Sequence, residues 1–103
     1  MKRVVIHPEA QKELEEAADY FAEHALTPTT EADFRSEIRA AFTEITANPE
    51  RFRLAVKGEP DRRFGPTKKF RYLIYYYERS SDVLVLAVAH PGRRPRYWVG
   101  RKP

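Results

Sequence analysis

Residues 70–98 read FRYLIYYYERSSDVLVLAVAHPGRRPRYW and hold the two most apolar runs of the chain, Tyr72–Tyr77 and Val83–Ala89. Val, Ile, Leu and Tyr favour β-strands, and the segment between the runs, Arg79–Asp82, is polar. A connection this short joins neighbouring antiparallel strands rather than parallel ones. The stretch therefore predicts a β-hairpin, and a basic, aromatic tail begins where its second strand ends, at His90.

Both faces of the two predicted strands are apolar, because alternate side chains along a strand point to opposite faces. One face of the second strand is predicted to carry Val83, Val85, Ala87 and Ala89. The other face is predicted to carry Leu84, Leu86, Val88 and His90. Such strands are typical of the centre of a sheet that is covered on both sides.

The segment before the hairpin has the spacing of two amphipathic helices. The first is predicted from Pro8 to about His24, where small and apolar residues recur every three or four positions. The second is predicted from Thr29 or Thr30 to about Asn48, where the following Pro49 disfavours a helical conformation. Two helices with a short connection form an antiparallel hairpin, and their apolar sides need a sheet to cover them.

Two shorter runs complete the predicted sheet. Arg3–His7 is rich in β-branched residues, and residues 62–66 are predicted to form an edge strand that Pro66 ends. Residues 49–60 have no clear period. We predict one domain, residues 1–103, of the α+β class: a two-helix antiparallel hairpin packed on one face of a small, mainly antiparallel sheet, in the order β-α-α-β-β-β.

The composition excludes several kinds of protein. Cys is absent, and the three His residues have no ligand spacing, so we expect no disulfide, no metal site and no cofactor. The few Gly and Ser residues form neither a phosphate-binding loop nor a hydrolase triad. The run before His7 is too short for a secretory signal, and no apolar run approaches the roughly 20 residues that span a bilayer. We expect a soluble, cytoplasmic protein.

Charge is divided unevenly along the chain. Residues 1–50 contain five Lys and Arg against eleven Asp and Glu, a net charge of −6. Residues 51–103 contain fourteen Lys and Arg against four Asp and Glu, a net charge of +10. The asymmetry indicates a basic face that meets a polyanion or an acidic partner, although a basic surface that only contacts solvent is the alternative.

The tail carries the residues best suited to chemistry. An RNA-cleaving site needs cations to stabilise the charge on phosphorus oxygens and a His, Lys or Tyr to move protons. The candidates for these roles are His90, Arg93, Arg94 and Tyr97. The candidates for binding a nucleic acid or another target are Arg63, Lys68, Lys69, Arg71 and Arg96. A structural role is the alternative for His90, and Trp98 is expected to anchor the tail.

The order of elements, together with YLIYY at 72–76, VLVLAVAH at 83–90 and RRPRYW at 93–98, resembles the RelE/ParE superfamily. These small toxins of type II toxin–antitoxin systems are often called plasmid-stabilisation proteins. The resemblance implies two helices on a small antiparallel sheet, growth arrest as the activity, and a hetero-oligomer with an antitoxin that neutralises the toxin.

The superfamily includes two kinds of target. RelE-like members cut messenger RNA on the ribosome without a metal, and ParE-like members inhibit DNA gyrase. The RelE pattern has an Arg at the position of Tyr72, whereas Arg71 here lies one residue earlier. Because a shift of one residue sends a strand side chain to the opposite face, this favours gyrase or an inactive variant. Arg93 or Arg94 and Tyr97 resemble the remaining RelE residues, so an mRNA endonuclease and a non-toxic nucleic-acid-binding relic remain alternatives.

Overall fold

The computed structural model describes residues 2–101, which form two helices and a four-stranded mixed sheet. The elements, in chain order, are β1 (Arg3–Ile6), α1 (Pro8–Glu23), α2 (Thr30–Ala47), β2 (Arg62–Phe64), β3 (Leu73–Glu78) and β4 (Asp82–Ala89). The α+β class and the order of elements predicted from the sequence are confirmed.

The predicted hairpin lies at the centre of the sheet, whose strand order is β1-β4-β3-β2. β3 pairs antiparallel with β4 and with β2, whereas β1 pairs parallel with β4. The loop between β3 and β4 is closed by an ion pair from Arg79 to Asp82. The sheet is thus mainly antiparallel, as predicted.

Both helices form where the sequence predicts them. The Nδ1 atom of His7 accepts the backbone N–H of Glu9 at 3.0 Å, and Pro8 occupies the first turn of α1. The helices pack on one face of the sheet, here called the helix face. Its buried residues are Ala10, Leu14, Ala17, Ala18, Phe34, Ile38, Ala41, Ile45, Tyr72, Ile74, Tyr76, Val83, Val85 and Val88. No helix within residues 2–101 has the length and apolar character needed to cross a membrane.

The opposite face of the sheet, here called the tail face, is covered by the carboxyl-terminal tail. Trp98 is 1% exposed and packs with Leu84, Leu86 and Ala87. Its ring stacks on Tyr75 with 4.6 Å between centroids. The prediction that both faces of the hairpin are covered is correct, and the predicted anchoring role of Trp98 agrees with its burial.

A register shift changes the predicted faces of β4. Tyr75 pairs with Ala87 and Tyr76 pairs with Val85, so Leu86 has no partner on β3. Such a bulge interrupts the alternation of side chains. Ala87 therefore packs on the tail face with Leu86, and Val88 packs on the helix face. The faces predicted for these two residues from strict alternation were wrong.

Candidate functional site

The pairing of β3 with β4 brings the two basic loops of the chain to the same end of the sheet. Leu73, the first residue of β3, pairs with Ala89, the last residue of β4. The segments 65–72 and 90–98 adjoin these residues, so both loops meet the sheet at this end. We call their six cations the basic end, and they are Lys68, Lys69, Arg71, Arg93, Arg94 and Arg96.

A groove of about 700 Å³ opens between α1 and the basic end. Its wall on α1 includes Glu13, Glu16 and Tyr20, and its opposite wall includes Lys69, His90 and Arg93. Three of the predicted site residues thus share one groove. Its charges are mixed, because carboxylates line one wall and cations line the other.

The carboxylate of Glu13 contacts three residues of the tail at the edge of this groove. The hydroxyl of Tyr97 donates to its carboxylate at 2.7 Å. Arg101 donates to both carboxylate oxygens, at 3.0 and 3.1 Å. Arg93 lies 3.8 Å from the same carboxylate. We call these four residues the Glu13 cluster.

The cluster also completes the hydrogen bonding of β4 beyond the end of β1. β1 pairs with β4 only as far as Val85. Past that point Glu13 accepts the N–H of Val88 at 3.1 Å, and Arg101 donates to the carbonyl of Leu86 at 3.0 Å. Side chains therefore take the place of a neighbouring strand. The sequence analysis missed Glu13 and Arg101, because no local pattern links residues this far apart.

The Glu13 cluster keeps the hydroxyl of Tyr97 protonated. Burial, together with the hydrogen bond to the Glu13 carboxylate, raises the pKa of Tyr97 well above its usual value. The guanidinium of Arg93 lies 4.0 Å from the centre of the Tyr97 ring, and that of Arg101 lies 5.0 Å from it. The Tyr97 hydroxyl is therefore a protonated donor to a carboxylate, a state that does not suit a general base.

The residue at position 72 is a buried tyrosine rather than a cation. Tyr72 is 7% exposed and packs edge-to-face on Phe34, with 5.1 Å between ring centroids. Its ring also contacts His90 edge-on at 5.8 Å. Arg71 lies before β3 in a left-handed conformation, with φ of 65°, and its side chain is exposed. The predicted strand began at Tyr72, whereas β3 begins at Leu73.

His90 and the neighbouring arginines form an exposed turn. The Nδ1 atom of His90 accepts the N–H of Gly92 at 3.0 Å, and its carbonyl accepts the N–H of Arg93 at 3.0 Å. Arg94 and Arg96 are exposed, and within residues 2–101 their side chains make no hydrogen bond or ion pair. The hydrogen bond from Gly92 gives His90 a structural role in this turn.

The other basic loop is held by a buried threonine. Thr67 is 3% exposed, its hydroxyl accepts the N–H of Tyr72 at 2.9 Å, and its own N–H donates to the Tyr72 carbonyl at 2.9 Å. The carboxylate of Glu37 accepts the N–H groups of Lys69 and Phe70, at 3.0 and 2.8 Å. These hydrogen bonds hold the backbone of the loop in place, and the side chains of Lys68 and Lys69 extend from it.

The remaining predicted binding residue, Arg63, lies elsewhere. It is half-buried on β2, directly opposite Tyr75, which faces the tail. Because residues paired across two strands share a face, Arg63 belongs to the tail face and not to the basic end. Within residues 2–101, no group of three or more His, Asp or Glu side chains is arranged to hold a metal ion.

Comparison with known proteins agrees with this architecture. No curated protein matches the chain. The sequence model described as "ParE toxin of type II toxin-antitoxin system, parDE" matches residues 4–95. That range includes both helices, the hairpin and the turn at His90. The resemblance to the RelE/ParE superfamily is therefore confirmed. Since the match extends over most of its length, the chain belongs to the ParE toxin family of type II toxin–antitoxin systems.

Proposed function

We propose that this toxin arrests growth by inhibiting DNA gyrase and that it does not cleave messenger RNA. The observation that carries the proposal is the buried Tyr72 at the position where the RelE pattern has an arginine. A phenol enclosed by Phe34 and His90 cannot supply a positive charge to a phosphate. The exposed Arg71 does not replace it, because it lies in a turn outside β3.

The state of the proton-transfer candidates supports the same proposal. Cleavage through a ribose 2′-OH needs a group that accepts its proton. Tyr97 is held protonated by Glu13, and Nδ1 of His90 accepts a backbone N–H. These contacts argue against an assembled ribonuclease site.

The family implies an antitoxin as the partner that neutralises the toxin. In our proposal the two proteins form a hetero-oligomer. An acidic segment of the antitoxin would complement the carboxyl-terminal half of the toxin, whose net charge is +10. The same half would be exposed to the target once the antitoxin is removed.

Two assays with the purified toxin test the proposal. In the first, gyrase acts on relaxed plasmid DNA with and without the toxin, and we expect loss of supercoiling. In the second, ribosomes translate a defined messenger RNA, and we expect the RNA to remain intact. Toxin-dependent cuts in the messenger RNA, with supercoiling unchanged, would instead support the RelE-like endonuclease. If neither assay responds and induced cells form colonies normally, the chain is a non-toxic relic.

A further inference from the structure

Four cations of the basic end are free to bind a ligand. Lys68, Arg71, Arg94 and Arg96 are exposed, and within residues 2–101 their side chains make no hydrogen bond or ion pair. Three of the acidic groups nearby are already engaged. Glu13 is bound by Tyr97 and Arg101, Asp33 is 3.3 Å from the amine of Lys69, and Glu37 accepts two backbone N–H groups. Two exposed carboxylates, Glu16 and Glu44, line the grooves beside this end but form no ion pair within residues 2–101, so its four free cations are not directly paired.

Two of these cations occupy strained backbone. Arg71 and Arg96 have φ of 65° and 62°, and they are the only non-glycine residues with positive φ in the described part of the chain. The left-handed region disfavours a long side chain by about 1–2 kcal/mol and is better suited to Gly or Asn. Strain of this kind is often retained at functional sites, and here it occurs at both positions on an exposed arginine.

The surroundings of the basic end do not resemble a protein interface. The centre of such an interface is usually apolar and aromatic. The exposed large hydrophobic residues of the described chain are Val4, Val5, Tyr20, Leu26 and Leu54. None lies in the two basic loops, and of these five only Tyr20 lines the adjoining groove. A surface that is positive and polar, without an apolar centre, is typical of contact with a nucleic-acid backbone.

Most aromatic rings near the basic end are not available to unpaired bases. Tyr20, on the opposite wall of the groove, is exposed, but one face of its ring stacks on His24 with 4.3 Å between centroids. Single-stranded nucleic acids bind through exposed rings on which the bases stack. Tyr72 and Trp98 are buried, and Phe70 packs edge-to-face on Phe21 at 4.8 Å. Tyr97 is in contact with Arg93 and Arg101. The two basic loops therefore offer cations without an exposed Phe, Tyr or Trp ring, which fits a duplex, whose bases are already paired.

We infer that the basic end binds the phosphate backbone of duplex DNA independently of its sequence, with Lys68, Arg71, Arg94 and Arg96 as the phosphate ligands. This DNA binding goes beyond the proposed inhibition of gyrase, because it needs no gyrase and occurs on naked DNA. Neutralising four phosphates gives a plot of log K against log salt concentration with a slope of about −3 to −4. Non-specific complexes of this kind have dissociation constants on the order of 10⁻⁴ to 10⁻⁶ M at physiological salt.

The test measures the fluorescence anisotropy of two labelled 20-base-pair duplexes of unrelated sequence, titrated with the antitoxin-free toxin from 50 to 200 mM NaCl. We expect equal affinity for both duplexes and the slope given above. The variant Lys68→Gln/Arg71→Asn/Arg94→Gln/Arg96→Asn should lose nearly all of this binding, whereas each single change should reduce the slope by about 0.9. Asn is chosen at 71 and 96 because it tolerates a left-handed backbone.

The control variant Lys12→Gln/Arg39→Gln/Arg53→Gln/Lys57→Gln removes the same charge from exposed positions elsewhere and should retain most of the slope. The inference is wrong if the two variants lose binding equally, if neither duplex binds at 50 mM NaCl, or if single-stranded RNA or an acidic peptide binds more tightly than the duplex. Supercoiling assays on the same variants separate the two proposals. If the toxin inhibits gyrase but does not bind naked DNA, this inference is wrong and the proposed function still holds.

Discussion

The hydroxyl of Tyr97 donates a 2.7 Å hydrogen bond to the carboxylate of Glu13, which lies 84 residues earlier in the chain. This contact holds the tail against α1 at the edge of β4. Arg101 binds the same carboxylate through two nitrogens. Tyr97, which the sequence suggested as a catalytic residue, therefore has a structural partner for the only polar atom of its side chain.

We predict that Tyr97→Phe lowers the free energy of unfolding by about 1.5–2 kcal/mol, because it removes one hydrogen bond to a charged group. Growth arrest should persist at equal levels of folded protein, since Arg101 still binds Glu13. Urea unfolding and colony counts after induction measure the two effects. Glu13→Ala should cost about 3 kcal/mol or more, because it leaves the half-buried Arg101 without its carboxylate and the Val88 N–H without its acceptor. A folded Tyr97→Phe protein without toxicity would restore Tyr97 as a catalytic candidate.

A second prediction concerns the anchor of the tail. Trp98 is 1% exposed and covers Leu84, Leu86 and Ala87, so Trp98→Ala should lower the free energy of unfolding by about 3–5 kcal/mol. Thermal unfolding, followed by circular dichroism, measures this loss. Tyr20→Ala is the control, since Tyr20 is 56% exposed, and it should cost less than about 1 kcal/mol. Equal losses from the two variants would mean that the tail does not stabilise the sheet.

The sequence predicts those parts of the fold that depend on local patterns. The apolar spacing of α1 and the cap residues around Pro8 lie within a few residues of one another, and the hairpin is defined by its short polar loop. The face of Ala87 could not be predicted, because the bulge at Leu86 arises from the pairing of two strands. Glu13 was missed for a related reason, since its partners are distant in the chain.

The sequence also predicts part of the candidate site, namely which cations belong to it. The sequence identifies the cations at 68–71 and 93–96, and the hairpin accounts for their proximity. It does not reveal which of them are neutralised, because the carboxylates that pair with Lys69 and Arg93 come from α2 and α1. Arg63 was grouped with them by charge alone and lies on the tail face.

A third prediction separates backbone strain from steric contact at the glycines. Gly65 has φ of +111°, and a Cβ atom there would lie 2.6 Å from the carbonyl oxygen of Tyr72. Gly65→Ala should therefore lower the free energy of unfolding by about 2 kcal/mol or more, through backbone strain and this contact. Gly58 has φ of +85° with open space around it, so Gly58→Ala should cost only about 1 kcal/mol.

Gly100→Ala is the reference for this series, because its new methyl group would contact nothing within 4 Å and its backbone is not left-handed. Its effect should stay within about 0.5 kcal/mol. Urea unfolding of the three variants measures the series. If Gly65→Ala is no worse than Gly58→Ala, the close approach of Tyr72 to Gly65 has no energetic consequence.

The last prediction concerns alkaline pH. The hydroxyl of Tyr76 is buried and donates to the carbonyl of Pro49 at 2.6 Å, and burial raises the pKa of Tyr76 to about 12, against an ordinary value of 10.0. Between these two values the unfolded chain releases the phenolic proton while the folded chain keeps it. The stability contributed by Tyr76 is therefore fully present below pH 10 and is lost as the pH rises toward 12. A shift of about two pKa units at roughly 1.4 kcal/mol per unit gives a full loss of about 3 kcal/mol.

Urea unfolding at intervals from pH 8 to pH 12 measures this loss. Tyr76→Phe should be less stable than the wild type at pH 8, because the hydrogen bond to Pro49 is gone, but its stability should fall less steeply above pH 10. The two curves should thus converge as the pH rises. Tyr97→Phe should also flatten the curve, since the pKa of Tyr97 is raised as well. Parallel curves for the wild type and Tyr76→Phe would show that the Tyr76 phenol titrates alike in the folded and unfolded chains.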